Sequence, residues 1–205
     1  RVLVFTSSHN LSAERQFRNP VEYGGATEDT QTFTATIGAA CFLSHEKSPI
    51  RLSSVTVGKV VDVGFTDSMD YGRAMMPAAL ETLLEHFKTT ATTPADYDLV
   101  LTGDLSRFGS KLVQQELEKE FGPVCNYQDC GLMLYDIDRQ DVLAGGSGPG
   151  TSAAVLLSYV RKKMTEGSFK RVLLCATGAL MNPTMINQKN SIPCIAHAVE
   201  LRITE

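Results

Sequence analysis

The chain has no excess of basic residues, no apolar run long enough to cross a bilayer, and no low-complexity tract or short-period repeat. Each absence removes a class of function. Lys and Arg number 19 against 23 Asp and Glu, a net charge of −4, so there is no electrostatic footprint for nucleic acid. No stretch approaches the ~20 apolar residues of a membrane span. The opening "RVLVFTSSHN" has too short an apolar part for a signal peptide and lacks a cleavage pattern. It reads as a strand already under way, without an initiator Met, as in a domain cut from a longer chain. The five cysteines (Cys41, Cys125, Cys130, Cys175 and Cys194) are odd in number, which fits reduced thiols inside a cell better than a disulfide framework. What is present is 43% hydrophobic and 20% charged over 205 residues. That is a soluble globular composition, with length enough for one large core or two small ones.

Strand and helix signals alternate along the second half. "RVLVFTSS" predicts a short buried strand, followed by a polar loop through Pro20, Gly24 and Gly25. "TFTATIGAACFLS" and "IRLSSVTVGKVV" have the β-branched content of a strand pair joined through "HEKSP". From Tyr71 to Lys88 the period changes, with Ala74, Ala78, Leu80, Leu83, Leu84 and Phe87 on one helical face. "DYDLVLTG" predicts a strand, "SKLVQQELEKEF" an amphipathic helix and "GLMLYDI" another strand. "TSAAVLLSYVRKKM" predicts a helix with Thr151 or Ser152 near its N-cap. "RVLLCATG" is a buried strand, "ALMNPTMINQKNSIP" a long loop, and "CIAHAVELRI" the closing strand. Paired strands followed by alternating strands and helices give a layered α/β fold with a mixed sheet. "RVLVFTSS" and "RVLLCATG" also echo one another, a pattern that apolar strands produce easily by chance.

The glycine-dense turn before the third helix, "AGGSGPGTS", invites three readings and fails each on a required residue. A Walker loop needs Lys before the hydroxyl, but Thr151 follows Gly150 directly. A dinucleotide fingerprint begun at Gly146 and Gly148 meets Thr151 where glycine is needed. A nucleophile elbow begun at Gly145 and Ser147 meets Pro149. Two readings remain: a tight strand-to-helix connection, or a turn whose amides receive an anion at a helix N-terminus.

"GPGTSAAV" resembles the G-N-T-S-A-A-S loop of type-III ketoacyl synthases and the wider thiolase superfamily. "DYDLVLTGDLSRFGSKLVQQEL" resembles their D-x-D-L-F-I-P-H-Q-A-N-x-R-I segment, in the same order along the chain. More specifically, "TSSHNLSAERQFRNPVEYGG", "VLTGDLS", "QDCG", "AGGSG" and "ATGALMNPTMINQKNSIPCIAHAVEL" resemble the stage V sporulation AD family, non-catalytic thiolase-fold proteins of spore-forming bacteria. The resemblance covers nearly the whole chain. It implies a thiolase-like αβαβα fold of two duplicated halves. Residues 1–66 would be the end of the N-terminal half and 67–205 the C-terminal half, and the two echoing strands become signs of the duplication.

The resemblance also implies what the site has lost and gained. The superfamily's oxyanion-stabilising His falls on Gly103 and its Asn on Gly150, so neither role can be filled by a side chain there. The nucleophilic Cys would lie before residue 1, and none of the five cysteines stands in its motif. The implied function is binding of dipicolinic acid (pyridine-2,6-dicarboxylate), alone or as its Ca2+ chelate, to support uptake into the developing spore. No cofactor of the protein's own is implied beyond Ca2+ arriving with that ligand. The implied partners are the other proteins of the stage V A operon at the inner spore membrane, with this chain peripheral to it, and a second copy in the complete protein. Two alternatives stand beside this: a condensing enzyme or thiolase acting on acyl-CoA or acyl-carrier-protein substrates, and a structural interaction subunit with a vestigial pocket.

The candidate ligand residues are His9, Arg15, Arg18, Gly103, Asp104, Gly148, Gly150 and Thr151. His9 ends the first strand, where a loop over the pocket begins. Arg15 and Arg18 offer guanidinium forks to carboxylates, with ion pairs to Glu14 or Glu22 as the plainer reading. Asp104 reads first as a cap for the following helix and second as a cation ligand. The amides of Gly148, Gly150 and Thr151 would meet an anion, and glycine at 103 and 150 would leave room for a flat ring. The C-x4-C spacing of Cys125 and Cys130 is looser than a structural zinc pair. His45, His86 and His197 read as surface or satisfied interior residues, and Met75, Met76, Met181 and Met185 as packing. "RKKM" reads as the solvated end of a helix.

Overall fold

The computed structural model describes residues 1–12 and 27–204. The central strand is β8 (Arg171–Ala179), an apolar run because both of its faces are covered. Successive side chains of a strand point to opposite faces, and here they feed two separate cores. Leu173 and Cys175 join one and Val172 and Leu174 the other. Antiparallel to β8 runs β9 (Cys194–Ile203), and parallel to it β5 (Leu99–Thr102). Beyond β5 lies β6 (Tyr127–Asp129), and beyond β9 the long edge strand β4 (Ile50–Val61). The order β4-β9-β8-β5-β6 is a mixed five-stranded sheet.

On one face pack α1 (Tyr71–Thr90) and α2 (Ser106–Phe121). Helix α1 begins where Asp70 Oδ1 accepts the N–H of Arg73 at 3.0 Å, an N-cap that satisfies an otherwise orphaned donor. It buries Ala74, Met75, Ala78, Ala79, Leu83 and Phe87, so the expected apolar face is there, widened by Met75 and Ala79. The two helices cross on glycine. A Cβ on Gly109 would stand 2.3 Å from the carbonyl oxygen of Gly72, and one on Gly72 2.2 Å from that of Leu105. Against the other face lie α4 (Thr151–Val155), a π turn (Leu156–Val160) and α5 (Arg161–Thr165), running on without a break. Their Val155, Val160 and Met164 pack on Leu99, Leu101, Val172 and Leu174. The result is helix–sheet–helix layering.

The remaining strands form two small sheets. β1 (Val2–Ser8) pairs antiparallel with β3 (Ile37–Leu43), and β2 (Phe33–Thr34) lies parallel to β7 (Gly146–Ser147). The two echoing segments form β1 and β8, which run antiparallel to β3 and β9 respectively. The expected pairing of residues 32–44 with 50–61 does not form. The connection "HEKSP" lacks the Asn-Gly or Asp-Gly signal of a tight hairpin, and β4 instead takes a long register on β9, from Ile50↔Ile203 to Val61↔Cys194. The expected strand "GLMLYDI" is also corrected. Asp129 Oδ1 accepts the N–H of Gly131 at 2.9 Å, and the chain turns into α3 (Cys130–Met133) at the sheet edge. Within the expected loop after β8, Asn182 caps α6 (Pro183–Asn187) through Met185 N. The N-cap of α4 is Gly150, not Thr151 or Ser152, and makes no side-chain cap bond.

One buried polar network ties α1 to the sheet. Glu200 of β9 accepts hydrogen bonds from Arg171 Nη2 at 2.9 Å, Ser53 Oγ at 2.7 Å and Tyr97 OH at 3.2 Å, and pairs with Arg202. Burial alone would raise its pKa, but Arg171, Ser53 and Arg202 outweigh that and hold it down to about 2. His86, fully buried, sits between Thr56 Oγ1 at 2.8 Å and Tyr97 OH at 3.0 Å, and burial keeps its pKa below the usual histidine value. It is a satisfied interior histidine.

Candidate functional site

Three connections meet at the C-terminal ends of β5 and β8 and enclose a cleft of about 1070 Å³. The end of β1 supplies Ser7, Ser8 and His9, the β2–β3 segment Thr34, Thr36 and Ile37, and the glycine turn Ser147, Gly148 and Pro149. The end of β8 contributes Ala176 to Ala179, and α1 contributes Tyr71 and Met75. Hydroxyls dominate the polar lining and methyl and thioether groups the apolar one. Such a mixture of apolar wall and a few directed polar groups is the usual form of a small-molecule site, and the C-terminal ends of parallel strands are its usual place.

Hydrogen bonds between the segments fix the cleft. Ser8 Oγ donates to Ala35 O at 2.6 Å, Asn10 Nδ2 to Thr34 O at 3.1 Å, and Thr6 Oγ1 to Pro149 O at 3.1 Å. The glycine turn is threaded onto the β2 segment by Phe33 N–Gly145 O at 2.8 Å and Ala35 N–Ser147 O at 2.9 Å. Gly148 has φ +108°, a conformation that L side chains rarely adopt. Its N–H donates to Asp104 Oδ2 at 3.0 Å, while Asp104 Oδ1 accepts from Thr177 Oγ1 at 2.8 Å. Asp104 therefore joins the β5, β7 and β8 ends in the cleft wall. The cap expected of it is made by another residue: Asp129 reaches from β6 to accept Leu105 N at 3.0 Å and Ser106 N at 2.9 Å. Burial pushes Asp129 up to about 7; the donors Thr102, Ser106 and Leu105 act against this, and nearby Asp104 acts with it.

Of the residues expected in the site, His9, Asp104 and Gly148 line the cleft, and Gly103, Gly150 and Thr151 stand behind it. The space expected at the two glycines is occupied by protein. A Cβ on Gly103 would lie 2.8 Å from Thr177 Oγ1, and one on Gly150 3.0 Å from Ile37 Cγ2 and 3.1 Å from Ser8 Oγ. The amides expected to receive an anion are partly committed, Gly148 N to Asp104 and Thr151 N to Gly148 O at 3.0 Å. Thr151 is fully buried and its hydroxyl has no partner among the described residues. Arg15 and Arg18 lie outside the described residues. Among the described residues no group of three or more His, Cys, Asp or Glu is placed to hold a metal ion. Cys125 is exposed and Cys130 buried. Asp129 was legible only as part of "QDCG"; nothing in its local spacing announces that it caps a helix 23 residues upstream.

The architecture and cleft define a mixed α/β protein with a hydroxyl-lined pocket at the strand ends. Residues 1–202 match the family described as Stage V sporulation protein AD (SpoVAD). The chain is 52% identical over 200 residues to the Stage V sporulation protein AD of Bacillus subtilis (strain 168), covering 97% of this chain and 59% of that protein. The chain thus belongs to the stage V sporulation protein AD family, and it spans about three-fifths of the length of the curated relative it matches. Among solved structures it is similar to the 3-oxoacyl-[acyl-carrier-protein] synthase III of Aquifex aeolicus VF5, at 15% identity and a TM-score of 0.40, covering 64% of this chain and 39% of that one. No helix of the described residues is long and apolar enough to cross a membrane.

Proposed function

We propose that the protein of which this chain is part serves sporulation by binding dipicolinic acid, free or as its Ca2+ chelate, in the cleft at the ends of β5 and β8, without condensing chemistry. The observation that carries this reading is the pair of glycines at 103 and 150. The thiolase superfamily has a His and an Asn there, and in this chain Thr177, Ile37 and Ser8 close in where those side chains would begin. An acyl-transfer oxyanion would find no imidazole or carboxamide at either position. A cleft of about 1070 Å³ with hydroxyls and apolar groups in its walls retains room for a flat dicarboxylate. His9 is the one cleft-lining residue among those described that can carry positive charge. A dianion therefore calls on Arg15 and Arg18, whereas a neutral chelate needs no such cation. In this reading the chain works peripherally at the inner spore membrane beside the other stage V A-operon proteins, and the complete protein forms a homodimer.

Calorimetry of the full-length protein with dipicolinate, with and without Ca2+, tests the reading. The expected result is saturable binding in at least one of the two conditions. Absence of binding in both overturns it and favours a structural subunit with a vestigial pocket; acyl-CoA turnover would favour the condensing enzyme.

A further inference from the structure

Behind the cleft, one carboxylate holds together most of what shapes its wall. Asp129 is 1% exposed and lies outside the cleft lining. Its Oδ2 accepts from Thr102 Oγ1 at 2.7 Å and Leu105 N at 3.0 Å, and its Oδ1 from Ser106 N and Gly131 N, both at 2.9 Å. Thr102 lies 2.8 Å from Tyr127 OH, which can supply the hydrogen to Thr102 while Thr102 donates to Asp129. Three of the four donors are backbone amides, which can only donate, and they fall on both oxygens, so each oxygen of the side chain has to accept. They belong to two different turns, one leaving β5 and one leaving β6.

The β5 turn needs such a clamp. Ser106 has φ +54°, the left-handed region that a serine seldom occupies. From that conformation Ser106 Oγ donates to Gly146 O at 2.9 Å, and the next residue, Arg107, donates its N–H to Ala144 O at 2.9 Å. These two bonds fasten the glycine turn to the start of α2. Two residues before Ser106 stands Asp104 and two residues after Gly146 stands Gly148, the pair joined in the cleft wall. The path from Asp129 to the cleft therefore alternates hydrogen bonds with two-residue backbone steps, through a turn held at a left-handed serine.

We propose that Asp129 is the positioning residue of the ligand site: it fixes the left-handed turn at Ser106 and thereby the Asp104–Gly148 contact on which the shape of the cleft wall depends. This rests on the reading of the cleft as a dipicolinate site. Replacing Asp129 by the isosteric Asn sets an NH2 group against a backbone N–H and leaves a buried donor unsatisfied. Replacing Ser106 by Ala removes the tie to Gly146 and leaves the carboxylate in place.

The test uses the full-length protein, with dipicolinate calorimetry and amide hydrogen exchange on wild type, Asp129→Asn and Ser106→Ala. Asp129→Asn is expected to weaken binding about tenfold or more, and Ser106→Ala by roughly two- to tenfold. In both, exchange at the Gly148 amide accelerates while exchange at the β8 amides of Leu173 and Leu174 does not. Wild-type affinity with unchanged Gly148 exchange in both variants overturns the proposal, and so does acceleration spread equally over β8. If Asp129→Asn fails to fold, Ser106→Ala decides by the same criteria. If the wild-type protein does not bind dipicolinate, the functional reading falls, and Gly148 exchange still decides whether the clamp exists.

Discussion

At the residue scale, the contrast between Glu200 and Asp129 shows how burial and partners compete. Both carboxylates are buried. Glu200 faces two guanidinium groups and is held down to about 2. Asp129 has no cation partner among the described residues and is pushed up to about 7 by burial. For Glu200 the folded pKa lies below its ordinary value of 4.5, so its contribution to stability is present above that value and is lost as pH falls toward about 2. In the full-length protein, Glu200→Gln should lower stability at pH 7 by roughly 1–3 kcal/mol, by leaving the Arg171 donors without their charged acceptor. It should also flatten the decline between pH 4.5 and 2, as thermal melts across that range would show. At the site, Arg15→Ala and Arg18→Ala address the dianion reading. If either guanidinium pairs with a ligand carboxylate, its loss should cost about 1.5–3 kcal/mol, a loss of roughly ten- to more than a hundredfold in affinity by calorimetry. Wild-type affinity in both variants would leave the ligand to His9, backbone amides or a neutral chelate.

At the scale of elements, close approach of backbones decides which substitutions the fold accepts. The α1–α2 crossing has no room for a methyl group at Gly109, whose added Cβ would meet the Gly72 carbonyl oxygen at 2.3 Å. Gly109→Ala should destabilise the full-length protein by about 1–3 kcal/mol, the usual cost of overpacking. For a cooperative unit of roughly 150–250 residues each kcal/mol is a fall of about 2–4 °C in Tm, and less for a larger one, measurable by calorimetric melting. A matching substitution on the open face of the same helix, Lys111→Ala, should change Tm little, since the Lys111 side chain is exposed. The π turn at Leu156–Val160 belongs to this scale as well: it interrupts what the sequence presents as one regular helix, and the structure gives no packing reason for its position.

At the scale of the molecule, the apolar surface is unevenly covered. The five-stranded sheet has helices on both faces, but Phe5 and Phe42 of the β1–β3 pair are each 74% exposed, and Val57 of β4 is 77% exposed. Apolar side chains left open to water in this way drive association at about 25 cal/mol per Å² covered. The 205-residue chain by itself should therefore self-associate, seen as concentration-dependent mass by light scattering; a monomer with sharp cooperative melting would contradict this. For the intact protein, the glycines at 103 and 150 predict no turnover of acyl-CoA or acyl-carrier-protein substrates at ordinary enzyme rates. A continuous thiol-release assay checks it, and turnover at ordinary enzyme rates would refute it.

The residues themselves determined what depends on neighbours along the chain. The buried run of β8, the apolar face of α1 and the failure of the glycine turn as a phosphate loop follow from side-chain period and local backbone chemistry. The layered α/β class follows from the alternation of those elements. What depends on partners distant in sequence was decided by the tertiary structure. β4 could have folded back on β3 across six residues, yet pairs with β9 because the longer register satisfies more backbone donors and the connection favours no tight turn. Asp104 has the sequence position of a helix cap, but Thr177 and Gly148, 73 and 44 residues away, take its carboxylate. The cap comes instead from Asp129. A carboxylate's partners are whichever donors lose their water beside it, and which donors those are is settled only when distant strand ends are brought into one buried place.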